Sequence, residues 1–493
     1  MNTRVYGTPL FMLVFALAFL PFAGKAEAAP ARMALLKVDA AAGTELQDLT
    51  SHDITIYAQL GSPDGPVFLV GADPSRAADL SRLGLGVSTL DADAGGKTYY
   101  VVYFAPRFDE RDLSGYGRVI FRDDIQAVVE MAPRDAERMA EAGAELRAVT
   151  TDPKPLPPHA DAPRRFEMSG TAAVTAHPVI QGIVDAVDSA TVYQYTGDLS
   201  GEWPVTIGGS PYTIETRHTY SGTPIRKATQ FAGEHLEALG LTVEYHNWTD
   251  PDYPNVIGEL PGTGSPDSIV IICGHIDDMP SGSTAPGADD NASGSVCVLI
   301  AADIMSQYQW HYTLRFALWT GEEQGLLGSH EYALRSYNLG EDIIGVLNLD
   351  MIAYNTAASA WDIDLHANSS VPATQELAEL FDDVVDAYGL SLIPQIIPMG
   401  IGASDHASFT DYGYSAILAI EDLSDFNPRY HTTDDLLEYL DMSYYVEFVK
   451  ASVATVAHMA VPLTQPNEVP AARAPILVTL ALLLAAAGLL ARR

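Results

Sequence analysis

The feature that most constrains the fold is an alternation between residues 166 and 462. The short, dense apolar runs SIVIIC, TLRFALW, IIGVLNLD and SAILAIE read as strands buried on both faces. Between them lie segments with helical spacing. SVCVLIAADIM puts Val296, Leu299, Ile300 and Ile304 on one side of a helix, and TQELAELFDDVVDAYGL repeats the pattern. This alternation predicts an α/β fold, a mostly parallel mixed sheet flanked by helices. In such folds ligands gather beyond the carboxyl ends of the strands, so chemistry is to be sought there.

Those ends carry a particular set of residues. SIVIIC runs into GHIDD, with His275 and Asp277. The next helix opens from GADDNASG, where Asp289 and Asp290 stand side by side. TLRFALW leads into TGEEQG, with Glu322 and Glu323, and IIGVLNLD ends at Asp350. Past SAILAIE, the loop RYHTTDD holds His431. Each alone has an ordinary explanation: a strand-end Asp caps a helix, paired Glu sits in a solvated turn. Together they converge on one face, where clustered carboxylates repel one another unless something positive lies among them. Imidazole and carboxylate suit Zn²⁺, and two imidazoles with three carboxylates suffice for two ions sharing one bridge.

GHIDD, GADDNASG, TGEEQGLLGS, NLDM and HTTDD, in this order, resemble the M28 family of zinc metallopeptidases, in particular secreted bacterial leucyl-type aminopeptidases. The upstream stretch TRHTYSGTPIRKATQFAGEHLEALGLTVEYHNW is similar to that group as well, and the resemblance covers about 176–462. It implies two zinc ions: His275 and Asp350 on one, Glu323 and His431 on the other. Asp289 would bridge them, with Asp290 its partner across a cis-type peptide. It implies further that Asp277 orients His275 and that Glu322 is the general base, taking a proton from the attacking water. The implied activity is hydrolysis of N-terminal, large apolar residues from peptides. One departure stands out. Close relatives carry a tyrosine shortly before SDHASF that helps hold the oxyanion, and here Ile401 occupies that place. Ser404, Asp405 and His406 are expected to support the site rather than bind metal.

Two other readings share the fold, a carboxypeptidase and a glutaminyl-cyclase-like enzyme. The first would want an Arg/Lys cluster that the motif loops lack, and the second uses a single zinc. A non-catalytic surface-binding protein would have lost ligands, and none is missing.

The chain is too long, at 493 residues, for one ordinary core. An internal repeat, PSRAADLSRLGLGVSTL and PRDAERMAEAGAELRAV, each preceded by an apolar strand, predicts a small α+β ferredoxin-like domain over 32–150. It holds no catalytic constellation and is expected to bury its own core as a separately folding pro-domain, with a fixed accessory domain as the rival reading. Residues 151–165 are proline-rich and read as a linker. The first 28 residues have the form of a signal peptide: Arg4, an apolar core over 10–22, and Ala26-Glu27-Ala28 before a mature start at Ala29. Residues 470–493 contain a neutral apolar run closed by Arg492-Arg493, expected to be a membrane anchor or a sorting tail and the only membrane contact. The formal charge of −37 disfavours a nucleic-acid partner. Cys273 and Cys297 could pair in an exported chain, but read more simply as two buried thiols. The sequence does not speak to oligomeric state.

Overall fold

The computed structural model describes residues 33–463, apart from 41–53, 63–64, 106–107, 150–173, 357–359 and 399. The expected leader, linker and tail (1–28, 151–165 and 470–493) lie outside the described residues. Among the described residues no helix is long and apolar enough to cross a membrane.

Two tandem units precede the large domain. In the first, β1 (Ala34–Asp39), β2 (Thr55–Leu60), β3 (Val67–Ala72) and β4 (Gly86–Asp91) form an antiparallel sheet in the order β2-β3-β1-β4. A helix at Arg76–Arg82 joins its last two strands. In the second, β5 (Tyr99–Tyr103), β6 (Arg118–Arg122), β7 (Gln126–Glu130) and β8 (Glu145–Val149) adopt the equivalent order β6-β7-β5-β8, with a helix at Pro133–Glu141 before β8. This is the ferredoxin-like strand order, but it occurs twice. Each strand–helix–strand segment of the repeat closes its own sheet instead of sharing one. The reason lies upstream of the repeat, where β2 and β6 supply each unit with its own hairpin partner.

The second unit does not keep its core to itself. Met279 of the large domain packs in the cluster of Tyr100, Val129, Met139 and Leu146, and Ala403 in that of Tyr99, Val101 and Val128. The backbone N–H of Ala148 in β8 donates to the Gly325 carbonyl at 3.1 Å, and Arg147 forms a buried ion pair with Asp411. The pair is thus fastened to the large domain through apolar and polar contacts.

In the large domain a short hairpin, β9 (Val205–Ile207) and β10 (Ser210–Tyr212), stands apart from the main sheet. That sheet has eight strands: β11 (Thr242–His246), β12 (Asn255–Leu260), β13 (Ser265–His275), β14 (Tyr312–Trp319), β15 (Asp342–Leu349), β16 (Asp362–His366), β17 (Ile393–Ile397) and β18 (Ala416–Glu421). Their order is β11-β12-β14-β13-β15-β18-β16-β17. The central strands β14, β13, β15 and β18 are parallel and are the four apolar runs of the sequence. The edges mix directions, with β12 antiparallel to β14 and β16 antiparallel to β18. Both cysteines are free and buried.

The helix Ala292–Met305 is buried on nearly all sides, because it lies between β13 and the helices Ser189–Leu199 and Met442–Ala460. Only Asp303 is partly exposed, which explains the helix's almost wholly apolar composition. Its first turn is seated on the end of β15: a Cβ at Gly294 would lie 2.4 Å from the Leu349 carbonyl oxygen. Asn291 completes the join, accepting from Gly294 N–H at 2.8 Å and donating to Leu349 O at 2.9 Å. Gly294→Ala should therefore lower the unfolding free energy by about 1–3 kcal/mol, as overpacking does. Urea denaturation measures it, and an unchanged midpoint would mean that the helix is not wedged there.

Candidate metal centre

Four sheet connections and one helix start deliver the polar cluster. His275 is the last residue of β13 and Asp350 follows β15 directly. Glu322 and Glu323 lie on the turn after β14, and Asp290 sits just ahead of the helix Ala292–Met305. His431 lies on the loop after β18, with φ +56°, an uncommon backbone state for a residue with a side chain. All six are buried.

The two imidazoles define the geometry. His275 Nδ1 is 3.2 Å from the Asp277 carbonyl oxygen, which can only accept, so Nδ1 carries the proton. Nε2 then turns its other side to Asp350 Oδ1 at 3.2 Å and Asp290 Oδ1 at 3.4 Å. His431 repeats the pattern. Its Nδ1 donates to the Ala140 carbonyl at 2.7 Å, while Nε2 faces Glu323 Oε2 at 2.8 Å and Asp290 Oδ2 at 3.3 Å. Each oxygen of Asp290 thus serves one histidine.

This corrects the expectation for the adjacent aspartates. Asp289, expected to bridge, points away: its oxygens accept from Ala353 N–H at 2.9 Å and Asn427 Nδ2 at 3.0 Å. Asp290 stands between the two sets of ligands instead, and the cis peptide joins Asp290 to Asn291. The physical cause is the turn itself. The Asp435 carboxylate accepts the N–H of both Asp289 and Asp290, at 3.1 and 3.0 Å, so successive side chains leave the turn in opposite directions.

The surroundings hold these groups in place. Asp277 stays at His275, its Oδ1 3.7 Å from Nδ1, while its Oδ2 accepts from Thr219 Oγ1 at 2.7 Å and Gly321 N–H at 3.0 Å and so ties down the Glu322–Glu323 turn. Ser404 donates to Asp350 at 2.7 Å. His406 is turned to the Ile401 carbonyl at 3.0 Å, and Ile401 itself lines the cavity where a tyrosine was missed. Sequence reasoning passed over two anchors. Arg217 is fully buried 3.3 Å from Asp278 and donates to the carbonyls of Leu199, Ile276, Pro286 and Gly287, stitching the GHIDD and GADDNASG loops together. Asp435 is the other, in the HTTDD motif. The signals were there, an arginine within TRHTY and the last acid of the motif, but neither suggested a buried role.

The electrostatics ask for cations. Burial works against charge on both histidines, yet the facing carboxylates outweigh it and hold His275 and His431 well above the usual imidazole range. Burial, with Asp405 and Asp350 adding to it against the pull of His275, lifts Glu322 well above the carboxylate range. Burial and Asp290 push Glu323 up to about 7, and burial pushes Glu145 of β8, on the same cavity, up to about 8. Glu323 Oε1 is buried without a hydrogen-bond partner. Ligand atoms about 2.0–2.2 Å from a tetrahedral zinc stand roughly 3.3 Å apart, the spacing seen around Nε2 of His275. The residues present therefore fit zinc: buried N and O donors with correct tautomers, one orphaned carboxylate oxygen and an excess of negative charge.

A doubly flanked α/β sheet with an imidazole–carboxylate metal centre at its strand ends defines a metallohydrolase. Residues 255–456 match the model of peptidase family M28. The chain is 30% identical over 270 residues to leucine aminopeptidase 1 of Aspergillus fumigatus, covering 50% of this chain and 68% of that protein. A probable leucine aminopeptidase of Arthroderma otae is 31% identical over 218 residues, 42% of this chain and 56% of that one, so the chain spans only a little over half of that relative's length. Among solved structures, the LapA aminopeptidase of Legionella pneumophila shares the fold with a TM-score of 0.56 at 17% identity, over 74% of this chain and 99% of that one. LapB of the same organism gives 0.57, also at 17%, over 74% and 100%. The chain belongs to the M28 peptidases.

Asp290→Asn should abolish zinc binding, whereas Asp289→Asn should keep it. Metal analysis after dialysis checks this, and retention by the Asp290 variant with loss by the Asp289 variant would reverse the assignment.

Proposed function

We propose that the chain is an exported aminopeptidase that uses two zinc ions to release N-terminal, preferentially large apolar, residues from peptides. The observation that carries this reading is Asp290, one buried carboxylate between two imidazole–carboxylate sets. Zinc, when bound, would be held by His275, Asp290 and Asp350 on one side and by Asp290, Glu323 and His431 on the other, and would supply Lewis acidity and a more acidic water.

The chain's own residues do the rest. Glu322 shares a cluster with His275 and Asp350 in which the nearest ligand atoms all lie within 4.8 Å. It is not needed as a ligand in either set and is free to take a proton from water and pass it to the leaving amine. Its burial, with Asp405 and Asp350 nearby, raises its affinity for a proton, which suits a proton acceptor. The cavity, about 250 Å³, is walled by Phe104, Ile125, Met351, Leu418, Ile420 and Phe426, which supports a large apolar side chain in the substrate. No Arg or Lys is among the described residues that line it, which disfavours a substrate's free carboxylate and with it the carboxypeptidase reading. Export rests on the leader-like N-terminus.

Glu322→Gln should lower kcat about 10²–10⁴-fold on leucine p-nitroanilide with zinc content unchanged. Chelation should abolish the wild-type activity, and N-acetyl-leucine p-nitroanilide should not be cleaved. Loss of zinc from the Glu322 variant, or turnover of the blocked substrate, would contradict the assigned roles.

A further inference from the structure

The second N-terminal unit reaches the metal centre itself. The Ala140 carbonyl, at the end of the helix Pro133–Glu141, is the acceptor that fixes the tautomer of His431. Such an acceptor orients a metal ligand, and here it comes from a different part of the chain. Glu137 on the same helix meets His218 Nε2 at 2.5 Å. Strand β8 is hydrogen-bonded to Gly325, two residues past Glu323. A side chain at Gly325 is excluded, because its Cβ would lie 2.6 Å from Ala148 N and its φ is +110°. The loop that carries the base is thus shaped around this strand.

Glu145 begins β8 and lines the same cavity as His275, Asp290, Glu322, Glu323, Asp350 and His431. It is held there by a hydrogen bond from the Tyr430 hydroxyl, and the Tyr430 ring stacks on His431 with centroids 3.6 Å apart. The unit leaves a cavity of about 250 Å³ rather than filling it, and contributes Tyr103, Phe104, Asp124 and Ile125 to its wall. Charge decides what Glu145 is for. Two divalent cations offset the four carboxylates of Asp290, Glu322, Glu323 and Asp350. Glu145 and the more exposed Asp124 are left over, with no Arg or Lys among the described residues of the cavity to neutralise them. A cation that arrives with the ligand would supply the missing countercharge.

We propose that Glu145 binds the α-ammonium group of the substrate, so that the second N-terminal unit is a working wall of the active site and not a cover to be removed. This rests on the aminopeptidase reading above. The ammonium N–H groups donate to Glu145 while the apolar wall receives the first side chain, and a blocked N-terminus offers no charge to match. The sequence pointed to a pro-domain with an accessory unit as the rival, and the shared cavity favours the accessory unit.

The test uses the full, zinc-loaded chain and two probes, leucine hydroxamate and 4-methylpentanohydroxamate, which differ only in the amine. By calorimetry, Glu145→Gln should weaken the first about ten- to hundredfold, as expected for a lost charged hydrogen bond, and leave the second within about twofold. KM for leucine p-nitroanilide should rise while kcat changes little. Glu145→Asp, which keeps the charge, should recover part of the affinity. Tighter binding of both probes with a rise in activity would show Glu145 to be a plug, and equal weakening of both would show a scaffolding role. Either result, or no change, overturns the proposal. A wild-type protein that binds both probes alike and does not release p-nitroaniline would instead refute the aminopeptidase reading, before any variant is made.

Discussion

Everything around this site follows from the cost of crowding carboxylates inside a protein. Asp290, Glu322, Glu323 and Asp350 are buried within one cavity beside two histidines. Without cations the group can persist only by taking up protons, which is why the histidines and Glu322 are displaced so far from their ordinary titration ranges. A few kilocalories of such repulsion rival the whole stability of a domain, so the surrounding fold must hold the acids in place. Metal binding turns this liability into a centre whose charge is nearly balanced.

The fold does this through short connections and buried anchors. Central parallel strands set His275, Asp350 and the Glu322–Glu323 turn along one sheet edge. The loops between them are fixed by buried groups that do not line the cavity: Arg217 with Asp278, Asp435 with the aspartate turn, Asp277 with Gly321 and Thr219. Each anchor satisfies backbone groups that would otherwise be buried unpaired, so the same hydrogen bonds maintain the loops and aim the ligands.

Much of this was legible in the chain. The four central strands and the helix Ala292–Met305 are long apolar segments whose pattern is local; His275, Asp277, Glu322, Glu323 and Asp350 sit at or just past strand ends, and His431 on the loop after β18, as read. The aspartate pair was misread because the two residues are chemically alike and adjacent. Only the turn geometry set by Asp435, about 145 residues downstream, tells which one faces the cavity. The two ferredoxin-like sheets were read as one, since the repeat showed the closing half of each and not its hairpin partner. What no local pattern could reveal was the reach of the second unit: Ala140 acts through a backbone carbonyl, and Glu145 is one acid among many in a chain of net charge −37.

On the proposed reading, Asp290 alone joins two metal sites. Anomalous diffraction at the zinc absorption edge from crystals of the zinc-loaded protein tests it most directly. Two peaks are expected about 3.5–4 Å apart, one beside His275 and Asp350, the other beside Glu323 and His431, each about 2.0–2.2 Å from a different oxygen of Asp290. A single peak at full zinc loading, or a pair bridged by Asp289, would contradict it.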